Sequence, residues 1–215
     1  MENTRLQFIY VYDALCGWCY GFSPILKALF ERHQKDIDFE VIAGGMVMGD
    51  QAGPVGEKAD FLLNAYPAVE ERTGVTFGQA WVESLKEGKV YYDSYPSAIA
   101  LETVKQIDSA QAVPFAAAIQ KAIYREGKEP ASLDTFLSVI RGLGLSETAF
   151  SSIYQEESIK DQVKSNFMYS RQLNVQGFPA AFLRNGDQYW MIAKGYRPMD
   201  HMEPLVSRFI KDGKL

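Results

Sequence analysis

An apolar, aromatic run, Leu6 to Tyr12, leads through a short connection into Cys16-Gly17-Trp18-Cys19 and then directly into an amphipathic segment. The run is rich in Ile, Val, Tyr and Phe and reads as a buried strand. From Cys19 onward Phe22, Ile25, Leu26, Leu29 and Phe30 recur at helical spacing, which predicts a helix over Tyr20 to Arg32 with one face packed on a sheet. Pro24 lies well inside it, where it removes an intrahelical hydrogen bond and bends the axis. Asp36 to Ala43 alternates polar and apolar residues before Gly44-Gly45, as a strand with one covered face does. Strand, helix and strand make a βαβ unit. Both cysteines of the chain sit at its first strand-to-helix junction.

From Val47 to Ser170 no strand pattern recurs. Helical signatures follow one another instead, broken by Gly and Pro: Phe61, Leu62 and Ala65; Trp81, Val82 and Leu85; Ile99, Leu101 and Val104; Phe115, Ile119, Ala122 and Ile123; Leu133, Phe136, Leu137 and Ile140 up to Gly142; and Ile159, Val163 and Phe167. This predicts a helical bundle inserted into an α/β fold. After Gly177-Phe178-Pro179 come two short apolar runs, Ala180 to Leu183 and Gln188 to Ala193, around Asn185-Gly186, a hairpin turn signal. A terminal helix begins near Asp200, which with Glu203 resembles a capping box, and buries Met202, Leu205, Val206, Phe209 and Ile210. No repeat, low-complexity tract or linker divides the chain.

Composition narrows the partners. The 215 residues are 47% hydrophobic and 23% charged, enough for a sizeable core and too apolar for disorder. A formal charge of -5 argues against nucleic acid and acidic membranes, which call for a basic face. Met1 to Arg5 shows no cationic, apolar or cleavage-site pattern of a leader, and Leu6 to Ala14 is too short and mixed to span a bilayer, so the expectation is a cytoplasmic protein. In a reducing compartment a lone CxxC points to catalysis or metal binding rather than to a structural bridge.

A thiolate is the nucleophile of thiol chemistry, and a sulfur at a helix N-terminus meets unpaired N–H groups and the positive end of the helix dipole. Cys16 has that position. Cys19, one turn along the same face, is the expected resolving thiol. The competing readings are a pair of plain core cysteines and half of a zinc site; zinc needs further ligands, and His33 and His201 are the two histidines available, at no metal-ligand spacing. No GxSxG elbow, phosphate-cradling loop or dinucleotide fingerprint is present.

The strand, Cys16-Gly17-Trp18-Cys19, the helix with Pro24, the helical insertion and then Val175-Gln176-Gly177-Phe178-Pro179 before a hairpin and a last helix resemble the DsbA-like branch of the thioredoxin-fold superfamily. Asp13-x-x-Cys16-x-Trp18-Cys19-Tyr20 is similar to the FrnE-like proteins and predicted disulfide isomerases of that branch. The resemblance covers nearly the whole chain. It implies a thioredoxin fold, a central mixed β-sheet flanked by helices, formed by 1–46 and 171–215, with 47–170 as the inserted helical subdomain.

The resemblance further implies a thiol:disulfide oxidoreductase acting on protein or peptide thiols and disulfides. Cys16 attacks, Cys19 resolves, and Pro179 is a cis-proline facing Cys16; the other reading of Pro179 is a trans proline opening an edge strand. Phe178 would offer its backbone to a substrate strand, and Gly17 and Trp18 would border the nucleophile, with core filling as the alternative for Phe178 and Trp18. No metal or nucleotide cofactor is implied; glutathione as co-substrate or a thioredoxin-type reductant would reset the pair. Where thioredoxin-like proteins often keep a buried carboxylate, six residues before the first cysteine, this chain has Tyr10. Asp13 is the nearest acid, either a proton-transfer group or a residue bonding the turn backbone. Gly17-Trp18 adds no positive charge, which points to a milder oxidant or a reductant. Two alternatives stand beside this reading: a glutathione-dependent isomerase or transferase of the 2-hydroxychromene-2-carboxylate isomerase and kappa type, in which serine usually replaces the first cysteine, and a redox-independent chaperone-like binding protein. The Tyr91 to Pro96 segment either lines a cleft or fills core.

Overall fold

The computed structural model describes residues 5–215, so the reading of Met1 to Thr4 lies outside the described residues. β1 (Gln7–Tyr12) leads into α1 (Gly17–His33) and β2 (Asp38–Ala43), and β1 and β2 pair in parallel from Gln7↔Asp38 to Tyr12↔Ala43. The insertion then runs through β3 (Gly53–Pro54), α2 (Gly56–Thr73), α3 (Gln79–Glu87), β4 (Tyr91–Tyr92), α4 (Ser94–Ile107), α5 (Ala112–Tyr124), α6 (Leu133–Gly142), α7 (Glu147–Tyr154) and α8 (Glu157–Gln172). β5 (Ala180–Asn185), β6 (Gln188–Lys194) and α9 (Met199–Asp212) close the chain. The sheet order is β2-β1-β5-β6, with β5 antiparallel to both β1 and β6. This is the expected α/β fold, a mixed sheet flanked by helices and carrying a helical insertion.

Alternation along β1 decides what each face of the sheet meets. Phe8, Tyr10 and Tyr12 point into the main core with α1, and the rings of Tyr10 and Phe22 stack at 5.6 Å. Ile9 and Val11 point the other way, joining Ile42, Ala180 and Phe182 under Tyr169, Leu173, Val175 and Phe178. The main core runs without interruption from β1 and α1 into α4, α5 and α6 of the insertion, so insertion and sheet share one apolar interior. The end of α8 covers the second face of the sheet, and the boundary expected at 170/171 falls within that helix.

Register also fixes where the functional loops emerge. Parallel pairing of Tyr12 with Ala43 brings the connection after β1 beside the connection after β2, and Val11 opposite Ala180 places the start of β5 at that same end. Residues 13–16, 44–46 and 178–179 therefore converge, although more than 130 residues separate the last two in sequence.

Three local expectations are corrected. The helical insertion also contains the β3–β4 ribbon, in which two-residue strands are too short to show any alternation. The hairpin loop is Gly186-Asp187 rather than Asn185-Gly186: Asn185 pairs with Gln188, and Gly186 takes φ +58 at the first loop position, as a II′ turn requires. No capping box forms at Asp200. The cap residue is Pro198, without a side-chain bond, and Glu203 instead accepts from His33, Arg32 and Ser207, tying α9 to the end of α1.

Candidate active site at the strand–helix junction

Cys16 is the N-cap of α1. Its Sγ accepts a hydrogen bond from the Cys19 backbone N–H at 3.3 Å, an N-cap bond made by sulfur in place of oxygen. The sulfur thus sits at the N-terminus of α1 with a backbone N–H aimed at it. The Cys16 Sγ also lies 3.6 Å from the Phe178 carbonyl, to which its thiol donates. The Phe178–Pro179 peptide bond is cis. The first cysteine and the loop 162 residues away are thus in direct contact.

Cys19 faces inward and is fully buried, and both cysteines are free thiols. Burial pushes the Cys19 thiol well up from its ordinary value; the hydrogen bond to Cys16 and charge on Cys16 act in the same direction, and the Asp13 backbone opposes them. Gly17 and Trp18 flank the pair at partial exposure. A Cβ on Gly17 would touch the Phe77 ring at 3.6 Å, and the Trp18 ring lies 6.4 Å from that of Tyr196.

Asp13 is the polar hub of the junction, 1% exposed. Its Oδ1 accepts from the Leu15 N–H at 2.9 Å and the Ser94 hydroxyl at 2.9 Å, and its Oδ2 from the Met46 N–H at 2.7 Å. Burial pushes its carboxyl up, and the hydrogen bonds from Met46, Leu15 and Ser94 oppose that rise. Ser94 Oγ accepts in turn from the Val47 N–H, and Gln120 Nε2 donates to the carbonyls of Asp13 and Cys16 while its Oε1 accepts from Ser23. One carboxylate thereby joins the turn before Cys16, the loop after β2 and the first turn of α4.

Ser94 and Gln120 escaped the sequence reading. Gln120 left a signal, a single uncharged polar residue on the otherwise apolar face of α5, where burial requires partners. Ser94 left none, being one hydroxyl inside an aromatic segment. That segment contributes this hydroxyl to the junction, while its Tyr92 fills core and accepts from Trp81 Nε1 at 3.1 Å. In sequence Gly44 and Gly45 mark the end of a strand. Their lack of side chains makes room for rings, because a Cβ on Gly44 would collide with Phe178, and one on Gly45 would press on Phe167 at 3.1 Å.

No cluster of three or more His, Cys, Asp or Glu side chains is placed to hold a metal ion among the described residues. Nor is any described helix long and apolar enough to cross a membrane.

Comparison with known proteins gives a family and a set of folds. The family model described as DSBA-like thioredoxin domain matches residues 8–206. The cytosolic disulfide reductase DsbM from Pseudomonas aeruginosa, also solved with GSH, superimposes with a TM-score of 0.80 at 26% identity over 94% of this chain and 98% of its own. A candidate protein disulfide isomerase from Nitrosomonas europaea gives 0.83 at 24% identity, over 96% and 98%. A 2-hydroxychromene-2-carboxylate isomerase gives 0.66 at 16%, over 96% and 97%, a likeness of fold. Curated proteins returned no match.

Two outcomes follow from this geometry. Asp13→Ala strands the N–H groups of Leu15 and Met46, and urea unfolding should show a loss on the order of 3 kcal/mol; a loss under about 1 kcal/mol would mean that the hub is not structural. The raised Cys19 pKa makes that thiol favour the fold fully below the ordinary value of about 8.5, a contribution lost as pH rises through the raised value. Between neutral pH and about pH 10, the melting midpoint of the reduced protein should fall more steeply than that of Cys19→Ala. Parallel curves would contradict a buried, neutral Cys19.

Proposed function

The chain belongs to the DSBA-like thioredoxin family, and from that premise we propose that it is a thiol:disulfide oxidoreductase in which Cys16 is the nucleophile and Cys19 the resolving thiol. The observation that carries this reading is the position of Cys16 Sγ, 3.3 Å from the Cys19 N–H and 3.6 Å from the Phe178 carbonyl. A sulfur at a helix N-terminus stands beside a backbone group that an extended substrate can pair with.

The chemistry balances as two exchanges. The Cys16 thiolate attacks one sulfur of a substrate disulfide, forming a Cys16 mixed disulfide and expelling the other sulfur as a thiolate, which takes up a proton. Cys19 then loses its proton and attacks the Cys16 sulfur. That closes the Cys16–Cys19 disulfide and expels the second substrate thiolate. The dithiol gives up two electrons and the substrate disulfide gains them; run backwards, the same steps donate a disulfide.

Reduction is the direction proposed. Gly17-Trp18 places no cation beside Cys16 to hold the dithiol form, the feature expected of a strong oxidant. The likeness to DsbM, a cytosolic disulfide reductase also solved with GSH, supports the same direction, a cytoplasmic setting and glutathione as the resetting thiol. Protein or peptide disulfides are the proposed substrates, with Trp18 and Phe178 as their apolar contacts.

Insulin reduction coupled to glutathione, and separately to a thioredoxin-type reductant, tests the proposal. Cys16→Ser should fall below about one hundredth of the wild-type rate with either electron source. Full activity of Cys16→Ser would refute the redox mechanism. Glutathione conjugation surviving loss of both thiols would point to transferase chemistry instead.

A further inference from the structure

A cleft of about 900 Å³ lies between α1, the connection after α2 and the length of α5, and neither cysteine nor the Phe178-Pro179 loop lines it. The two helices run antiparallel along it: the Tyr20 ring stacks on that of Tyr124 at 5.2 Å, and Ser23 Oγ donates to Gln120 Oε1 at 2.8 Å. At 1.5 Å per residue the wall from Tyr20 to Phe30 is about 15 Å long. Lys121 and Arg125 stand at the Tyr20 end and Lys27 midway, whereas Phe30, Val113 and Pro114 close the other end beside Glu31. Ala117, Ala118 and Leu143 extend the apolar lining, and like Phe30 and Pro114 they are only half-buried. One end of the cleft is cationic and the rest is mainly apolar.

The neutral polar side chains on the lining are already engaged. The Tyr20 hydroxyl donates to the Thr76 carbonyl at 3.0 Å, the Thr73 hydroxyl to the Val69 carbonyl at 2.7 Å, and Ser23 to Gln120. The cations are not held in the same way. Lys27 lies 3.7 Å from Glu31 and Lys121 4.0 Å from Glu126, loose pairs between exposed side chains, and among the described residues Arg125 has no carboxylate partner. Three cations against the single carboxylate of Glu31 give this lining a sign opposite to the chain's formal charge of -5. A local reversal of that kind is complementary to an anion. The volume is that of a small-molecule site, and a concave slot between helices suits a slender ligand better than the broad face of a protein partner.

We propose that this cleft binds an amphipathic monocarboxylate, a fatty acid of medium chain length, with its carboxylate at Arg125 and Lys121 and its tail along Ala117 and Ala118 toward Phe30 and Pro114. The Arg125 guanidinium offers two parallel N–H donors that match a carboxylate, and Lys121 adds charge beside it. The tail covers half-buried apolar side chains that water otherwise meets, which supplies the remaining driving force. No thiol takes part and no bond is made or broken, so the site is independent of the roles of Cys16 and Cys19.

Isothermal titration calorimetry of the full chain with dodecanoate, below its micellar concentration, tests the inference, with dodecyltrimethylammonium as a probe of the same tail and opposite charge. Dodecanoate should bind saturably at one molecule per chain, and the cationic probe at least about tenfold more weakly. Arg125→Glu, a change at an exposed position, should keep the wild-type melting temperature and weaken dodecanoate about tenfold or more. Ala117→Glu, which puts a charge on the apolar wall, should weaken it similarly; if that variant fails to fold, Arg125→Glu decides alone. Absence of saturable dodecanoate binding overturns the inference, as does binding of many molecules per chain. Equal binding of the two probes, or full affinity in Arg125→Glu, reduces the cleft to an unspecific apolar surface and overturns it too. A wild type that dimerises in sedimentation, and that Arg125→Glu makes monomeric, would assign the cleft to a second copy of the chain instead.

Discussion

The buried Asp13 carboxylate is the constraint on which the junction depends. A carboxylate at 1% exposure is tolerable only when its lone pairs are occupied, and the donors here come from three separate stretches: Leu15 before the cysteines, Met46 after β2 and Ser94 in the insertion. Satisfying one charge therefore positions the turn that carries Cys16 against both the sheet and the insertion. Gln120 adds to this by bonding the carbonyls of Asp13 and Cys16 from α5. Burying a charge costs stability, and what it achieves here is placement.

Around that hub the two thiols are treated differently. Cys16, 5% exposed, ends a strand connection and begins a helix, so its sulfur meets an N–H and a loop carbonyl. Cys19, one helical turn on, lies in the same core as the β1 aromatics and is sealed from water. Three residues of sequence and the 3.6-residue turn thus produce one sulfur capped by a backbone N–H and one sealed in the core.

Much of this was legible in the sequence because it is local. The β1–α1–β2 unit announced itself through Leu6 to Tyr12 and the helical spacing of Phe22 to Phe30, and Cys16 fell at the junction by position alone. The approach of Phe178-Pro179 to Cys16 came from resemblance, since no periodicity reports which distant loop a strand register will deliver. Features fixed by tertiary contact stayed hidden: the Ser94 hydroxyl looks like any other, the β3–β4 ribbon is shorter than one alternation, and the need for glycine at position 44 appears once the Phe178 ring lies over it. Glu203 shows the same limit from the other side. A capping pattern was present, but an ion pair with Arg32 and a hydrogen bond from His33, both of α1, claimed the carboxylate.

The central claim is that Cys16, seated between the α1 N-terminus and the Phe178 carbonyl, is the sulfur that substrates bond to. Incubating Cys19→Ser and Cys16→Ser separately with a peptide disulfide, and locating the adduct by peptide mass mapping, tests it most directly. The expected result is a stable mixed disulfide on Cys16 in Cys19→Ser and an unmodified Cys19 in Cys16→Ser. Modification of Cys19 in Cys16→Ser, or no adduct on Cys16 in Cys19→Ser, would contradict the assignment.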